Sequence, residues 1–167
     1  MPIITVGYGQ DSFGAFAKRL KAAGVTVVVD VRTNPYSKYD PSYRAGEIEQ
    51  HFAEVGIQYR FLGDKLGGKP KDQELYDSRG KILKERLIAT PTFQQGLDDV
   101  IHLSANHVVA IMCGCAKSME CHRGKIITPA LEAKNLRVQH MDPLGNQRST
   151  EDQIVWEHNG QFAMFGE

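Results

Sequence analysis

A chain of 167 residues is long enough to bury a core of its own and short enough to be read as one domain. Twenty basic residues cancel twenty acidic ones, so net charge argues against a general grip on nucleic acid or on an anionic membrane. No apolar run approaches the roughly 20 residues of a membrane span, Met1-Pro-Ile-Ile-Thr5 lacks the basic start of a targeting segment, and three cysteines confined to positions 113–121 fit a reducing compartment, with the cytoplasm the expected location.

Residues 3–6 predict a first strand, and Gly7-Tyr8-Gly9 a sharp turn where the backbone can approach a ligand closely. Ser12 is placed to cap a helix carrying Phe13, Phe16, Ala17 and Leu20, with Gly24 to end it. Residues 25–32 form the strongest strand, and their unbroken β-branched run predicts burial on both faces. Asp30 and Arg32 stand at its carboxyl end, two apart and therefore on one side. They are read as facing a crevice, against the plainer reading of an ion pair that anchors the next loop. That loop, residues 33–44, holds Pro35, Ser37 and the tyrosines 36, 39 and 43, with rings and cations suited to a base, a sugar or a phosphate.

Ile48, Phe52 and Val55 mark a second helix closed by Gly56, and Ile57, Tyr59 and Phe61 alternate as in a strand nearer an edge. Residues 62–71 are glycine-rich and basic but lack the ending of a phosphate-binding loop, and residues 72–88 are expected to form an exposed lid or insertion. Thr90-Pro91 opens a third core helix with Phe93, Leu97, Val100 and Ile101. Residues 108–112 predict a buried strand. Ser118 then caps a helix through Ile126, Ile127, Ala130 and Leu131, which places Cys121, His122 and Arg123 in its first turn, and Pro129 should kink or split it. A last strand over 136–141 precedes a capping box at Thr150-Glu-Asp-Gln153 and a tail whose Phe162, Met164 and Phe165 are expected to pack outside or across a dimer contact. The alternation predicts a three-layer α/β domain over 1–145, Rossmann-like, its mostly parallel sheet covered by helices on both faces, with a helical tail over 146–167 packed on it.

Thr5-Val-Gly-Tyr-Gly, Asp30-Val-Arg-x-x-Pro35-x-Ser37, Gly56-Ile-x-Tyr59, Leu66-Gly-Gly68 and Cys113-x7-Cys121-His-Arg resemble, in that order and spacing, the bacterial and archaeal "domain of unknown function 488" family. The resemblance runs from about Ile3 to Pro143. It implies a compact α/β domain with the cysteine and Cys-His-Arg elements near the carboxyl ends of the strands, and a family without an established reaction. Family members look like Cys-Ala-Glu where this chain has Cys113-Gly114-Cys115, so Cys115 replaces the expected acid.

Ligands of an open α/β sheet sit beyond the carboxyl ends of its strands. The residues expected there are Cys113, Cys121 and His122 as chemical groups, and Gly7, Tyr8, Asp30, Arg32, Pro35, Ser37 and Arg123 as binding groups. Arg32 and Arg123 offer planar forks to a phosphorylated small molecule or nucleotide, and a helix start beside Cys121 would lower its pKa. A sulfurtransferase of rhodanese type, or a cysteine phosphatase, is the alternative, with Cys113 as the carrier; Arg123, ten positions later, is far for the tight loop of those enzymes. Three thiolates and His122 suit tetrahedral zinc in composition but not in spacing, so no metal is assigned. A nucleic-acid-binding module using Lys38, Arg44, Arg60, Lys65, Lys69 and Lys71 is less favoured. The remaining histidines, at 51, 102, 107, 140 and 158, are read as surface or packing residues. No cofactor and no oligomeric state is legible.

Overall fold

The computed structural model of the chain describes residues 2–159. Six strands, β1 (Ile3–Gly7), β2 (Val27–Asp30), β3 (Gln58–Phe61), β4 (Val109–Cys113), β5 (Val138–Met141) and β6 (Gln147–Arg148), form one sheet in the order β3-β2-β4-β1-β5-β6. All pairings are parallel except that of β6, which runs antiparallel to β5. The helices are α1 (Phe13–Ala22), α2 (Ile48–Glu54), α3 (Gly63–Leu66), α4 (Lys84–Ala89), α5 (Pro91–Ser104), α6 (Thr128–Glu132) and α7 (Thr150–His158). None is long and apolar enough to cross a membrane.

The period of two along each strand divides the core into two layers. Ile3, Val27, Val29, Val109, Ile111 and Val138 project into one, where Leu66 of α3, Leu97 of α5 and Leu131 of α6 cover them. Ile4, Val6, Val28, Ala110 and Met112 project into the other, against Phe16 and Leu20 of α1 and Ile48 and Phe52 of α2. Strands buried on both faces need apolar residues at every position, which is why β2 and β4 read as unbroken runs. β3 lies at an edge, as its alternation implied. The three-layer α/β arrangement matches the expectation.

Local chemistry sets most boundaries. Ser12 accepts from Ala15 N to start α1, Thr90 accepts from Phe93 N to start α5, and Gly24 follows α1 at φ +77°. α7 begins one residue earlier than the capping box suggested: Ser149 is the cap, because the Thr150 hydroxyl is engaged with His140 and Glu132. Residues 72–88 are mostly exposed, as expected of a lid or insertion, but are anchored to the core. Leu75 and Leu87 are buried in the core beneath a charged exterior, and Tyr76 bridges Ile82. The segment expected as a tail from 146 opens with β6, hydrogen-bonded to β5, and Gln153 and Trp156 of α7 are buried. Phe162, Met164 and Phe165 lie outside the described residues.

Candidate functional site

The strand ends β1 and β4 are in register at Gly7 and Cys113. Beyond Cys113 the chain doubles back so closely over Gly7 that a Cβ there would stand 1.7 Å from the Cys115 carbonyl oxygen. The close approach expected at Gly7 is therefore made by the protein itself. A single 3₁₀ turn, Ser118–Glu120, follows, held by Glu157 of α7, which accepts from the Ser118 hydroxyl at 3.1 Å. Cys121 is extended, and the next residues form a π-helical turn, Arg123–Ile127, that runs into α6. Cys121 thus stands at the helix start, its carbonyl accepting from Lys125 N, and His122 and Arg123 lie in the first turn as expected. In the widened turn the Arg123 carbonyl accepts from the backbone and the hydroxyl of Thr128, and Pro129, which has no N–H, follows directly.

This path turns Arg123 inward, with no exposure. Its Nε donates to Cys113 Sγ at 2.9 Å, Nη1 to Thr5 Oγ1 at 3.0 Å and Nη2 to the Cys115 carbonyl at 2.7 Å. Cys121 Sγ lies 2.9 Å from Cys113 Sγ. Burial pushes the Cys113 thiol up, but hydrogen bonds from Cys115 and Cys121 and then the Arg123 charge outweigh it and hold Cys113 well below the ordinary thiol range. Cys121 is pushed the other way, by its hydrogen bonds to Cys113 and Cys115 and then by burial, so it keeps its proton and donates it to Cys113. Cys115, exposed, is pushed up by its bond to Cys113. The negative charge is thus favoured on Cys113 over its two neighbours.

His122 donates from Nε2 to the Val31 carbonyl at 2.9 Å, which leaves Nδ1 as an acceptor 3.7 Å from Cys121 Sγ. Burial holds the ring below its ordinary pKa and so neutral. Gly68 backs onto this ring with no room for a side chain: a Cβ would meet it at 2.9 Å. Outside lies an open groove of about 410 Å³, lined by Thr33, Lys69, Cys115, Cys121 and His122 among others. The sulfurs of Cys113, Cys115 and Cys121 lie within 4.8 Å of one another, near enough for a soft cation in distance alone. A guanidinium 2.9 Å from one of them favours an anion there over a metal.

Asp30 and Arg32 do not join this cluster. Asp30 is in register with Met112, not Cys113, so it faces the opposite layer. Its carboxylate is chelated by Arg32 Nε at 2.9 Å and Nη2 at 2.8 Å and accepts from the Tyr59 hydroxyl at 2.6 Å. Arg32 also donates to the Tyr43 carbonyl and the Tyr8 hydroxyl, and Tyr8 stacks on Tyr43 at 3.9 Å between ring centres. This is the anchoring ion pair, clamping the 33–44 loop to the sheet. Pro35 and Ser37 build that loop: the Pro35 carbonyl accepts from Ala45 N and the Ser37 carbonyl from Arg44 Nε. Neither arginine presents a free fork to a ligand; the polar contacts of both are internal.

Two participants were not expected at the site: Thr5, noted only within the Thr5-Val-Gly-Tyr-Gly motif, and His140, read as a surface or packing residue. Thr5 and His140 are fully buried and in register on β1 and β5, with Thr5 Oγ1 2.6 Å from His140 Nδ1. Polar residues at equal height on one face of adjacent strands were the available clue. Burial, then the Arg123 charge, pushes His140 down to about 4 from an ordinary 6.5. An unfolded chain takes up that proton below about 6.5 while the folded one does not, so stability should fall as pH drops from about 6.5 to about 4, by roughly 3 kcal/mol for this residue. Urea midpoints at pH 7, 5 and 4 check it, the loss across that interval being smaller in His140→Phe.

The fold and site define an α/β domain with a buried cysteine–arginine pair at the carboxyl edge of its sheet. It belongs to the family described as Domain of unknown function DUF488, whose sequence model matches residues 12–129. The match takes in β2, β4 and the Cys-His-Arg element but leaves β1 and β5 outside. Among curated proteins none matches this chain.

Proposed function

We propose that the chain is a thiol enzyme whose Cys113 and Cys121 exchange with the disulfide of a small substrate held in the groove beside His122. The observation that carries this reading is the Cys113 sulfur, 2.9 Å from both Arg123 Nε and Cys121 Sγ. Cys121 borders the groove and Cys113 lies behind it. In the first step Cys121 passes its proton to the Cys113 thiolate, to which it is hydrogen-bonded, and its sulfur attacks the substrate disulfide; that S–S bond breaks, one thiol leaves with the proton, which restores the Cys113 thiolate, and a mixed disulfide remains on Cys121. The Cys113 thiolate then attacks Cys121 Sγ, the second substrate sulfur departs and takes a proton from solvent, and a Cys113–Cys121 disulfide closes. The substrate is reduced to two thiols and the cysteine pair is oxidised.

The phosphate and nucleotide reading draws less support, because Arg32 and Arg123 are occupied inside the protein; Lys69 is the cation that lines the groove. To test the thiol reading, reduced protein is mixed with 2-hydroxyethyl disulfide and followed by mass spectrometry. Two thiols should be released per chain with a Cys113–Cys121 bridge formed. Cys113→Ser should stop at the mixed disulfide on Cys121, Cys121→Ser should form no bridge and carry an adduct at most on the exposed Cys115, and Cys115→Ser should still close the bridge. Loss of closure in Cys115→Ser, or no thiol release from the unaltered chain, would refute the assignment.

A further inference from the structure

A continuous hydrogen-bonded chain leaves the thiol pair on the side away from the groove. It starts at Cys113 on β4, passes through Arg123, crosses β1 at Thr5 and β5 at His140, and emerges through Thr150 at the start of α7 to the exposed Glu132 of α6. We propose that Thr5 and His140 are positioning residues, which hold Arg123 against the Cys113 sulfur and so set the reactivity of the pair. The proposal rests on the thiol reading above and adds the part of the protein that governs it.

The direction of every bond follows from the two ends. Arg123 has donors alone, so Thr5 Oγ1 must accept from Nη1 at 3.0 Å. The Thr5 proton is then free for His140 Nδ1, 2.6 Å away. That requires the tautomer whose Nε2 carries the hydrogen, and Nε2 meets Thr150 Oγ1 at 3.1 Å. Thr150 in turn donates to the Glu132 carboxylate, which accepts alone. One pattern of protons satisfies all the members, and it leaves Arg123 Nε aimed at Cys113. A protonated His140 would turn Nδ1 into a donor and leave the Thr5 hydroxyl proton without this acceptor. The fold also spends apolar volume on this chain: Thr5 and His140 occupy inward positions in the layer otherwise filled by Ile3, Ile111 and Val138. An apolar pair there would pack as well and would leave Arg123 Nη1 without a partner, which makes positioning the better account of the two polar residues.

The titratable and charged groups facing Cys113 are Arg123, Cys115, Cys121 and His122, with Tyr8 interacting at longer range. Those facing His140 are Arg123 and, through Thr150, Glu132. A change in Thr5 alters none of these charges, so its effect on the thiolate must act through geometry.

The experiment is a titration of thiolate absorbance at 240 nm, with the rate of oxidation by 2-hydroxyethyl disulfide, in the unaltered chain and in Thr5→Val, Thr5→Ser, His140→Phe and Thr150→Val, each checked for its fold by circular dichroism. Thr5→Val and His140→Phe should move the Cys113 titration to higher pH and slow oxidation near pH 6.5 about tenfold, the order of effect carried by a hydrogen bond to a charged group. Thr5→Ser should restore both. Thr150→Val, whose helix is capped by Ser149, keeps the test open should the buried variants fail to fold, and should show a smaller change in the same direction. A folded Thr5→Val with the titration of the unaltered chain overturns the positioning role alone, as does an unchanged Thr150→Val if the buried variants do not fold. Absence of a low-titrating thiolate in the unaltered chain would remove the thiol reading and this role together.

Discussion

Replacing Arg123 by methionine should move the Cys113 titration to higher pH and make the Cys113–Cys121 pair harder to reduce. Methionine keeps much of the buried volume but gives nothing to Cys113 Sγ, to Thr5 or to the Cys115 carbonyl, which Arg123 now satisfies together. With the cation gone, burial is opposed chiefly by the hydrogen bonds from Cys115 and Cys121, and the Cys113 titration moves to higher pH. The arginine contacts a thiolate that exists in the reduced protein and vanishes when the bridge closes, so it favours the reduced form. If that preference is worth roughly 3 kcal/mol, the order expected for a buried charge that loses its partner, the potential should fall by about 60 mV in the variant. Equilibration against glutathione buffers measures the shift, and the 240 nm absorbance reports the thiolate. Arg123→Lys is the sharper control: it keeps the charge but not the fork that reaches Sγ, Thr5 and the loop at once, and it should recover a part of the thiolate and little of the stability. A potential unchanged in Arg123→Met would mean that the guanidinium serves the fold alone.

Asp30→Asn should cost about 3–5 kcal/mol of stability and leave the thiolate signal intact. Asp30 is wholly buried and accepts from Arg32 three times, through N, Nε and Nη2, and from the Tyr59 hydroxyl. An asparagine of the same shape leaves the Arg32 cation without its counter-charge and turns an amide N–H₂ toward groups that are themselves donors. Urea unfolding gives the cost. Because Asp30 faces the layer of Met112 and Tyr43 while Cys113 faces the other, the cysteine titration should not move. Loss of the thiolate in this variant would show that the two clusters act as one.

Sequence reasoning reached the sheet, its order of elements and the cysteine stretch because each rests on local information: unbroken apolar runs for β2 and β4, capping residues at Ser12 and Thr90, and glycines after α1 and α2. It placed Asp30-Arg32 opposite Cys113 in one crevice, and there it failed. Which face a strand-end residue occupies depends on the register between β2 and β4, where Asp30 is beside Met112, and a slip of one residue would have reversed the answer. Arg123 was legible as a cation but not as a buried one, since a guanidinium that turns inward and one that faces a ligand have the same sequence. Thr5 and His140 were missed for a related reason. They lie 135 positions apart in the chain and have meaning only as neighbours across β1 and β5.

The widened turn at Arg123–Ile127 also has a bearing on relatives of this chain. An α-helix advances about 100° per residue, so one residue more or fewer swings everything before it by more than a quarter of a revolution. The extra residue absorbed between Cys121 and Pro129 is what points the guanidinium at the sulfur. A homologue that kept Cys-His-Arg but shortened this interval by one would carry the same letters with the arginine rotated away from its anion. For this chain, then, the spacing from Cys121 to Pro129 matters to the site as much as the tripeptide itself.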